Sequence, residues 1–238
     1  MAIYPKAQWH GPVPNQGGKM QGYRLGVVHI MQGSLNGSDS WFHNNSAQVS
    51  AHFGVGKDGT VYQWVDTANV AWAEANYNGV GISIECEGYA GEALTGPQAF
   101  AVASLMKWVR KTHGIPLVRN TNPAAAGWIG HGELGAAGGG HLACPGQPVL
   151  DQIPGMLVLA AGGDPFKGGR GPAAPVTLPS ISRGASGMAV RTLQQHLNIS
   201  VDGVFGPATE ASVKLFQQNH HLTTDGVVGP QTWSALGV

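Results

Sequence analysis

Trp128-Ile129-Gly130-His131-Gly132-Glu133, continuing to His141-Leu142-Ala143-Cys144-Pro145-Gly146, sets a histidine at the end of an apolar, strand-like run. A cysteine follows thirteen residues later, just before a Pro-Gly turn. Imidazole and thiolate are soft metal donors; a structural Zn2+ takes four protein ligands, a catalytic one three and a water. The same pattern occurs upstream, where Leu25-Gly26-Val27-Val28-His29-Ile30-Met31 runs into a histidine and then the loop Gln32-Gly33-Ser34. His29, His131 and Cys144 together would make a His2Cys site with its fourth position open, the arrangement of a hydrolytic zinc centre. Any one of the 10 histidines is a weak signal by itself. The combination of two strand-ending histidines and a Cys-Pro-Gly is what points to metal.

Composition narrows the partners. With 13 basic and 13 acidic residues the formal charge is zero, so no basic field argues for nucleic acid or an anionic membrane surface. Charged residues are 11% of the chain, against roughly 25% in typical globular proteins. The polar surface must then come from Asn, Gln, Ser, Thr and backbone, which suits hydrogen bonding to sugars and peptides. Two cysteines make no disulfide framework, and Cys86 reads as a small buried hydrophobe. Met1 to Lys6 has no basic region leading into an apolar run, and Met156 to Ala161 is too short to span a bilayer. A soluble monomer, made without an export signal, is the expectation.

In chain order, residues 1 to 22 read as an irregular lead-in with Trp9 as a packing anchor, and Leu25 to Met31 as the first buried strand. Ser38-Asp39 would open a helix through about Gln48. Val49 to Val55 and Val61 to Val65 form a hairpin pattern across Gly56 to Thr60. Gly81 to Glu87 alternates, with Ile82, Ile84 and Cys86 on one face and Ser83, Glu85 and Glu87 on the other. Thr95-Gly96-Pro97-Gln98 is a capping-box start to a helix ending near His113-Gly114. Leu117-Val118 and Trp128 to His131 add strand material, and Val149 to Ala161 a closing helix. Strands interleaved with helices give an α/β domain with a central sheet over residues 1–161.

The composition then shifts to a Gly/Pro-rich linker, 162–180. In the last segment, 181–238, Val201-Asp202-Gly203-Val204-Phe205-Gly206-Pro207-Ala208-Thr209 recurs 23 residues later as Thr224-Asp225-Gly226-Val227-Val228-Gly229-Pro230-Gln231-Thr232. Each copy joins an Asp-Gly turn to a Gly-Pro helix start, which fits a module of three helices.

Residues 25 to about 150 resemble the zinc-dependent N-acetylmuramoyl-L-alanine amidases of the amidase-2 type, relatives of peptidoglycan recognition proteins. The resemblance is carried by Val27-Val28-His29, Val49-Ser50-Ala51-His52-Phe53, Lys57-Asp58-Gly59-Thr60-Val61-Tyr62, Val70-Ala71-Trp72, Gly81-Ile82-Ser83-Ile84-Glu85, Ile129-Gly130-His131 and Cys144-Pro145-Gly146. Residues 182–238 resemble the PG-binding-1 type of peptidoglycan-binding module. The resemblance implies a central mixed sheet with flanking helices plus a small three-helix module, in the layout of a phage endolysin. Such an enzyme is made in the host cytoplasm, reaches the wall after membrane permeabilisation, and hydrolyses the amide between N-acetylmuramic acid and L-alanine.

It also implies His29, His131 and Cys144 as zinc ligands and Glu85 as general base, with Glu87 a second candidate. Leu142 stands where the family often has an oxyanion-stabilising lysine, and Ala51 where some relatives have a catalytic tyrosine. Either His141 or the zinc alone would then steady the oxyanion. Trp72, Asn76, Tyr77 and Asn78 fall where the family lines its groove, Trp72 being equally compatible with the core. In the C-terminal module, wall contacts would come from the turns near Asp202 and Asp225. A non-catalytic peptidoglycan receptor and a stem-peptide endopeptidase are the alternatives on this scaffold.

Overall fold

The computed structural model describes residues 2–163, 180–186 and 188–236, so most of the expected linker lies outside the described residues. Eight strands are described: β1 (Gln8–Trp9), β2 (Gln16–Lys19), β3 (Leu25–Ile30), β4 (Phe53–Val55), β5 (Val61–Gln63), β6 (Asn69–Ala71), β7 (Gly81–Cys86) and β8 (Gly127–Gly130). The helices are α1 (Leu35–Phe42), α2 (Gly96–His113), α3 (Gln147–Ala160), α4 (Met188–His196), α5 (Pro207–Asn219) and α6 (Pro230–Ala235).

Every residue of β3 is buried, because β3 lies between β7 and β8, parallel to both, in a sheet ordered β1-β5-β4-β7-β3-β8. The one antiparallel pair in that sheet is the hairpin β4/β5, so the sheet is mixed. The even-numbered side chains Val28, Ile30, Ile82, Ile84 and Cys86 form the main core with Leu105, Met106 and Val109 of α2 and Ile153 and Met156 of α3. Each such aliphatic side chain contributes about 1.5–3 kcal/mol by leaving water. The odd-numbered side chains face the other way. Leu25, Val27 and Ile129 pack under Leu134 and Tyr77, and His29 and Glu85 come next along the same face. Of Ser83 and Glu85, read as the polar face of an alternating strand, Ser83 is therefore buried and Glu85 half-buried, under loops rather than helices.

α2 starts where the capping box places it. Thr95 Oγ1 accepts the Gln98 N–H, Gln98 Oε1 accepts the Thr95 N–H, and left-handed Gly114 ends the helix. Gln98 Nε2 also donates to the Val55 and Glu87 carbonyls, fixing the helix to the ends of β4 and β7. Three expectations are corrected. The lead-in contains β1, which pairs with β5, and β2, which pairs with β6; Trp9, at this sheet edge, is 39% exposed rather than an anchor. The first helix begins at Leu35, capped by Ser34 Oγ accepting the Gly37 N–H, and it ends at Phe42. Leu117-Val118 forms no strand; the contact with β8 comes from an isolated bridge at Arg119.

The C-terminal helices enclose Val190, Leu193, Phe205, Val213, Val228 and Trp233, with Phe100 of α2 in the same cluster. The repeat has a shared internal clamp. Gln194 Nε2 donates to Asp202 Oδ1 and the Val204 carbonyl while its Oε1 accepts the Gly203 N–H. Gln217 does the same with Asp225, Val227 and Gly226. Both aspartates also accept a backbone N–H of their own turn, from Val204 and Val227, so these carboxylates serve the fold.

Gly26 shows how tightly β3 meets β8. A Cβ there would come within 2.4 Å of the buried Trp128 ring. Gly26→Ala is expected to destabilise the chain by about 1–3 kcal/mol through overpacking, read as a lower denaturation midpoint with unchanged slope.

Candidate metal centre

The carboxyl ends of three adjacent parallel strands deliver the polar groups. His29 is in β3, Glu85 is its register partner in β7, and His131 follows β8 directly. This end of a parallel sheet is where crevices open, because the chain leaves each strand there through a loop. One donor atom from each of His29, His131 and Cys144 lies within 4.8 Å of the others. The His29 and His131 rings are 4.2 Å apart, and the Ile30 N–H points at Cys144 Sγ at 3.4 Å.

Local structure holds each ligand in place. Arg119 Nη2 reaches both Glu133 carboxylate oxygens at 2.7 and 2.9 Å, and Glu133 Oε2 accepts the Gly130 N–H, fixing the turn that presents His131. Gly132 donates its N–H to the Cys144 carbonyl. A Cβ at Gly132 would sit 2.5 Å from the Leu142 carbonyl oxygen, so the close approach of the two loops requires glycine. His131 Nε2 lies 2.9 Å from the Gly138 carbonyl, which selects the tautomer with its proton on Nε2 and its lone pair on Nδ1.

Burial dominates the electrostatics. It pushes His29 and His131 down to about 3, so both imidazoles are neutral donors at physiological pH. It pushes the Cys144 thiol up to about 12, with Glu85 adding to the effect, so a cation must displace the proton to gain a thiolate. Glu85 is raised to about 8 by burial and then by Glu74. One Glu85 oxygen lies 3.7 Å from His29 Nδ1.

These groups open into a cleft of about 520 Å³. Its lining includes Trp41, Val49, Trp72, Glu85, His141 and Leu142, and among the described lining residues there is no Lys or Arg. His141, with its ring 5.1 Å from that of His131, is in the cleft; Leu142 is 76% exposed at the rim. Of the four residues expected along the groove, Trp72 lines it and the other three do not. Tyr77 packs on the Leu25 and Val27 cluster, while Asn78 Oδ1 accepts the Ala73 and Glu74 N–H groups and so shapes its own turn. Asn76 is exposed beside them. Glu87, the second base candidate, accepts the Lys57 N–H outside the cleft.

Two groups escaped sequence reasoning. Trp41, in a helix whose start was expected at Ser38 and lies at Leu35, forms part of the apolar rim. Glu74 is fully buried beside His29, with its Oε1 3.4 Å from His29 Nε2. It lies in a loop without periodicity, so nothing in the pattern marks it.

Residues 19–147 match the family of N-acetylmuramoyl-L-alanine amidases, and residues 186–236 match the peptidoglycan binding domain family. N-acetylmuramoyl-L-alanine amidase A of Achromobacter lyticus is 42% identical over 107 residues, which is 44% of this chain; the chain spans 58% of that relative's length. The solved structure of the Staphylococcus aureus hydrolase AmiA in complex with its ligand aligns with a TM-score of 0.52 at 16% identity, over 69% of this chain and 88% of that one. That likeness concerns the fold.

Behind the ligands lies His52, fully buried. Its Nε2 donates to the Asn69 carbonyl and its Nδ1 contacts Ser83. Burial pushes His52 down to about 4 from the ordinary 6.5. The unfolded chain therefore binds a proton that the folded one refuses, and this contribution to stability is lost as pH falls from about 6.5 toward 4. His52→Gln should remove on the order of 3 kcal/mol of that acid-side loss, seen as a flatter melting temperature against pH than in the parent.

Proposed function

The chain belongs to the N-acetylmuramoyl-L-alanine amidase family, and on that premise we propose that it is a zinc hydrolase of bacterial peptidoglycan. The bond cut is the amide between the lactyl group of N-acetylmuramic acid and L-alanine. The observation that carries this reading is the meeting of the His29, His131 and Cys144 donors beside Glu85 at the mouth of a cleft.

The donor set fits zinc by its own chemistry. Two imidazoles held neutral and one thiol match the N and S preference of Zn2+, and three protein ligands are the complement of a catalytic rather than a structural site. Zinc held there would supply the charge that acidifies water and polarises an amide carbonyl. Glu85 takes a proton from the attacking water on its carboxylate as the C–O bond forms and the carbonyl oxygen becomes an oxyanion, then passes that proton to the L-alanine nitrogen as the oxyanion collapses and the C–N bond breaks. Burial and Glu74 raise Glu85 to about 8 in the metal-free chain, and a cation held beside it would draw it back toward the carboxylate that accepts the proton. His141, in the cleft, donates to the developing oxyanion at the position where Leu142 offers no charge. Trp72 and Trp41 give the sugar or peptide apolar faces to lie against.

Residues 1–161 act as the catalytic domain, 162–180 as the linker and 181–238 as the wall-binding module, which raises the effective substrate concentration. The family match at 186–236 supports the last assignment. No described helix is long and apolar enough to cross a membrane. A catalytic unit followed by a wall-binding unit is the arrangement that supports the endolysin role, host lysis from within.

Purified protein is expected to contain one zinc per chain, to clear cell-wall suspensions, to lose that activity to a chelator and to regain it with Zn2+. The digest should show new L-alanine N-termini; new termini within the stem peptide would identify an endopeptidase. Cys144→Ser should lose both zinc and lysis. Glu85→Gln should keep its zinc while kcat drops by about 10²–10⁴-fold. Wall binding without zinc or lysis would refute the enzyme reading.

A further inference from the structure

Glu74 is a buried carboxyl group in need of an explanation. It has no exposed surface, and neither of its oxygens has a well-formed hydrogen bond among the described residues. The Ser83 hydroxyl, which also serves His52, is one polar neighbour, and His29 Nε2, 3.4 Å away, is the other. The Nε2 atom is likewise without a hydrogen-bond partner of good geometry. An isolated buried carboxylate costs several kcal/mol unless something compensates it.

The backbone is bent to put it there. Ala75, the next residue, has a left-handed φ of 47°, a conformation that L-residues with a Cβ adopt at a cost. Asn78 Oδ1 holds the N–H groups of Ala73 and Glu74 and so pins the turn. Gly81 leaves the floor open, since a Cβ there would stand 3.2 Å from Glu74 Oε2. No Lys or Arg forms an ion pair with Glu74 among the described residues.

Resting on the zinc reading of the site, we infer that Glu74 is a positioning residue for the metal: it accepts a hydrogen bond from His29 Nε2, which fixes the tautomer that leaves the Nδ1 lone pair, on the Glu85 side of the ring, free for the metal. His131 is treated in a parallel way by a neutral partner, the Gly138 carbonyl. The two ligands thus have second partners of different charge. A carboxylate partner would make His29 the more basic donor of the pair and would add negative charge to that of the Cys144 thiolate when a cation is held there. The compensation that the buried carboxylate lacks in the protein alone is supplied when a cation binds on the far side of the imidazole. Glu74 therefore contributes little to the metal-free fold, where its oxygens lack a well-formed hydrogen bond, and favours the metal-loaded one.

The test uses full-length wild type, Glu74→Gln and Glu74→Leu. Zinc affinity is measured by competition with a chromogenic chelator, and thermal unfolding is measured on metal-free and zinc-loaded samples. Affinity should fall in the order Glu, Gln, Leu, by about 10–100-fold in all. The metal-free melting temperature should stay level or rise in the same order, because a buried polar group without a well-formed hydrogen bond is gone. Unchanged zinc affinity in both variants overturns the inference. So does a metal-free form destabilised as much as the loaded one, which would mean that Glu74 is only structural. If wild type itself binds no zinc, the function reading fails first, and the two failures are told apart within one titration.

Discussion

The constraint on which this site depends is that negative and neutral polar groups are buried together, without a basic side chain, at the carboxyl end of a parallel sheet. Glu74 Oε1 and Glu85 Oε1 lie 3.4 and 3.7 Å from the two ring nitrogens of His29, yet no Lys or Arg lines the cleft among the described residues. In a low-dielectric setting such a group is stable only if its carboxyls stay protonated or a cation joins them. The raised pKa values of both glutamates are the metal-free answer to that problem. The proposed zinc is the other answer, and it is the one that does chemistry.

The rest of the domain is arranged so that this burial is possible. A strand whose even-numbered residues meet α2 and α3, and whose Leu25 and Val27 pack under Leu134, can spend its last odd-numbered position, His29, on a polar group. Gln98 ties α2 to the same strand ends that lead to the site, so the helix layer and the cleft share a frame. On the cleft side the cover is made of loops, and loops are closed by specific bonds: Arg119 to Glu133, Gly132 to Cys144, Asn78 to its own turn. Loops positioned by a rigid sheet are also where binding residues can vary without loss of the fold.

Much of this was legible in the chain. His29, His131 and Cys144 could be found because each terminates or follows an apolar run, and α2 because Thr95, Pro97, Gln98 and Gly114 mark both its ends. β1 and β2 were not, since a two-residue edge strand and a Gln-Gly-Gly-Lys strand carry no apolar periodicity and take their conformation from their partners. The first helix was displaced because Ser34 and Ser38 are equally good caps by type, and only packing of Leu35 and Phe42 chooses between them. Glu74 was invisible for a related reason. A glutamate in a loop is normally solvated, and the turn of Ala75 and Asn78 that drives it inward has no signature along the sequence. The clamps of Gln194 and Gln217 share the repeat's 23-residue offset, but they lie outside the motif that revealed it.

The contact between the Ile30 N–H and Cys144 Sγ joins positions 114 residues apart. The intervening chain contributes Glu85, both strands that flank β3, and the long helix α2. No fragment of the domain can therefore carry part of the centre, and the donors converge only after the most sequence-distant pairing, β3 with β8, has closed. During synthesis the three donors stay apart until the last strand and the loop behind it have emerged. Gathering of the donor set therefore waits on closure of the sheet, with α3 and the C-terminal helices still to follow.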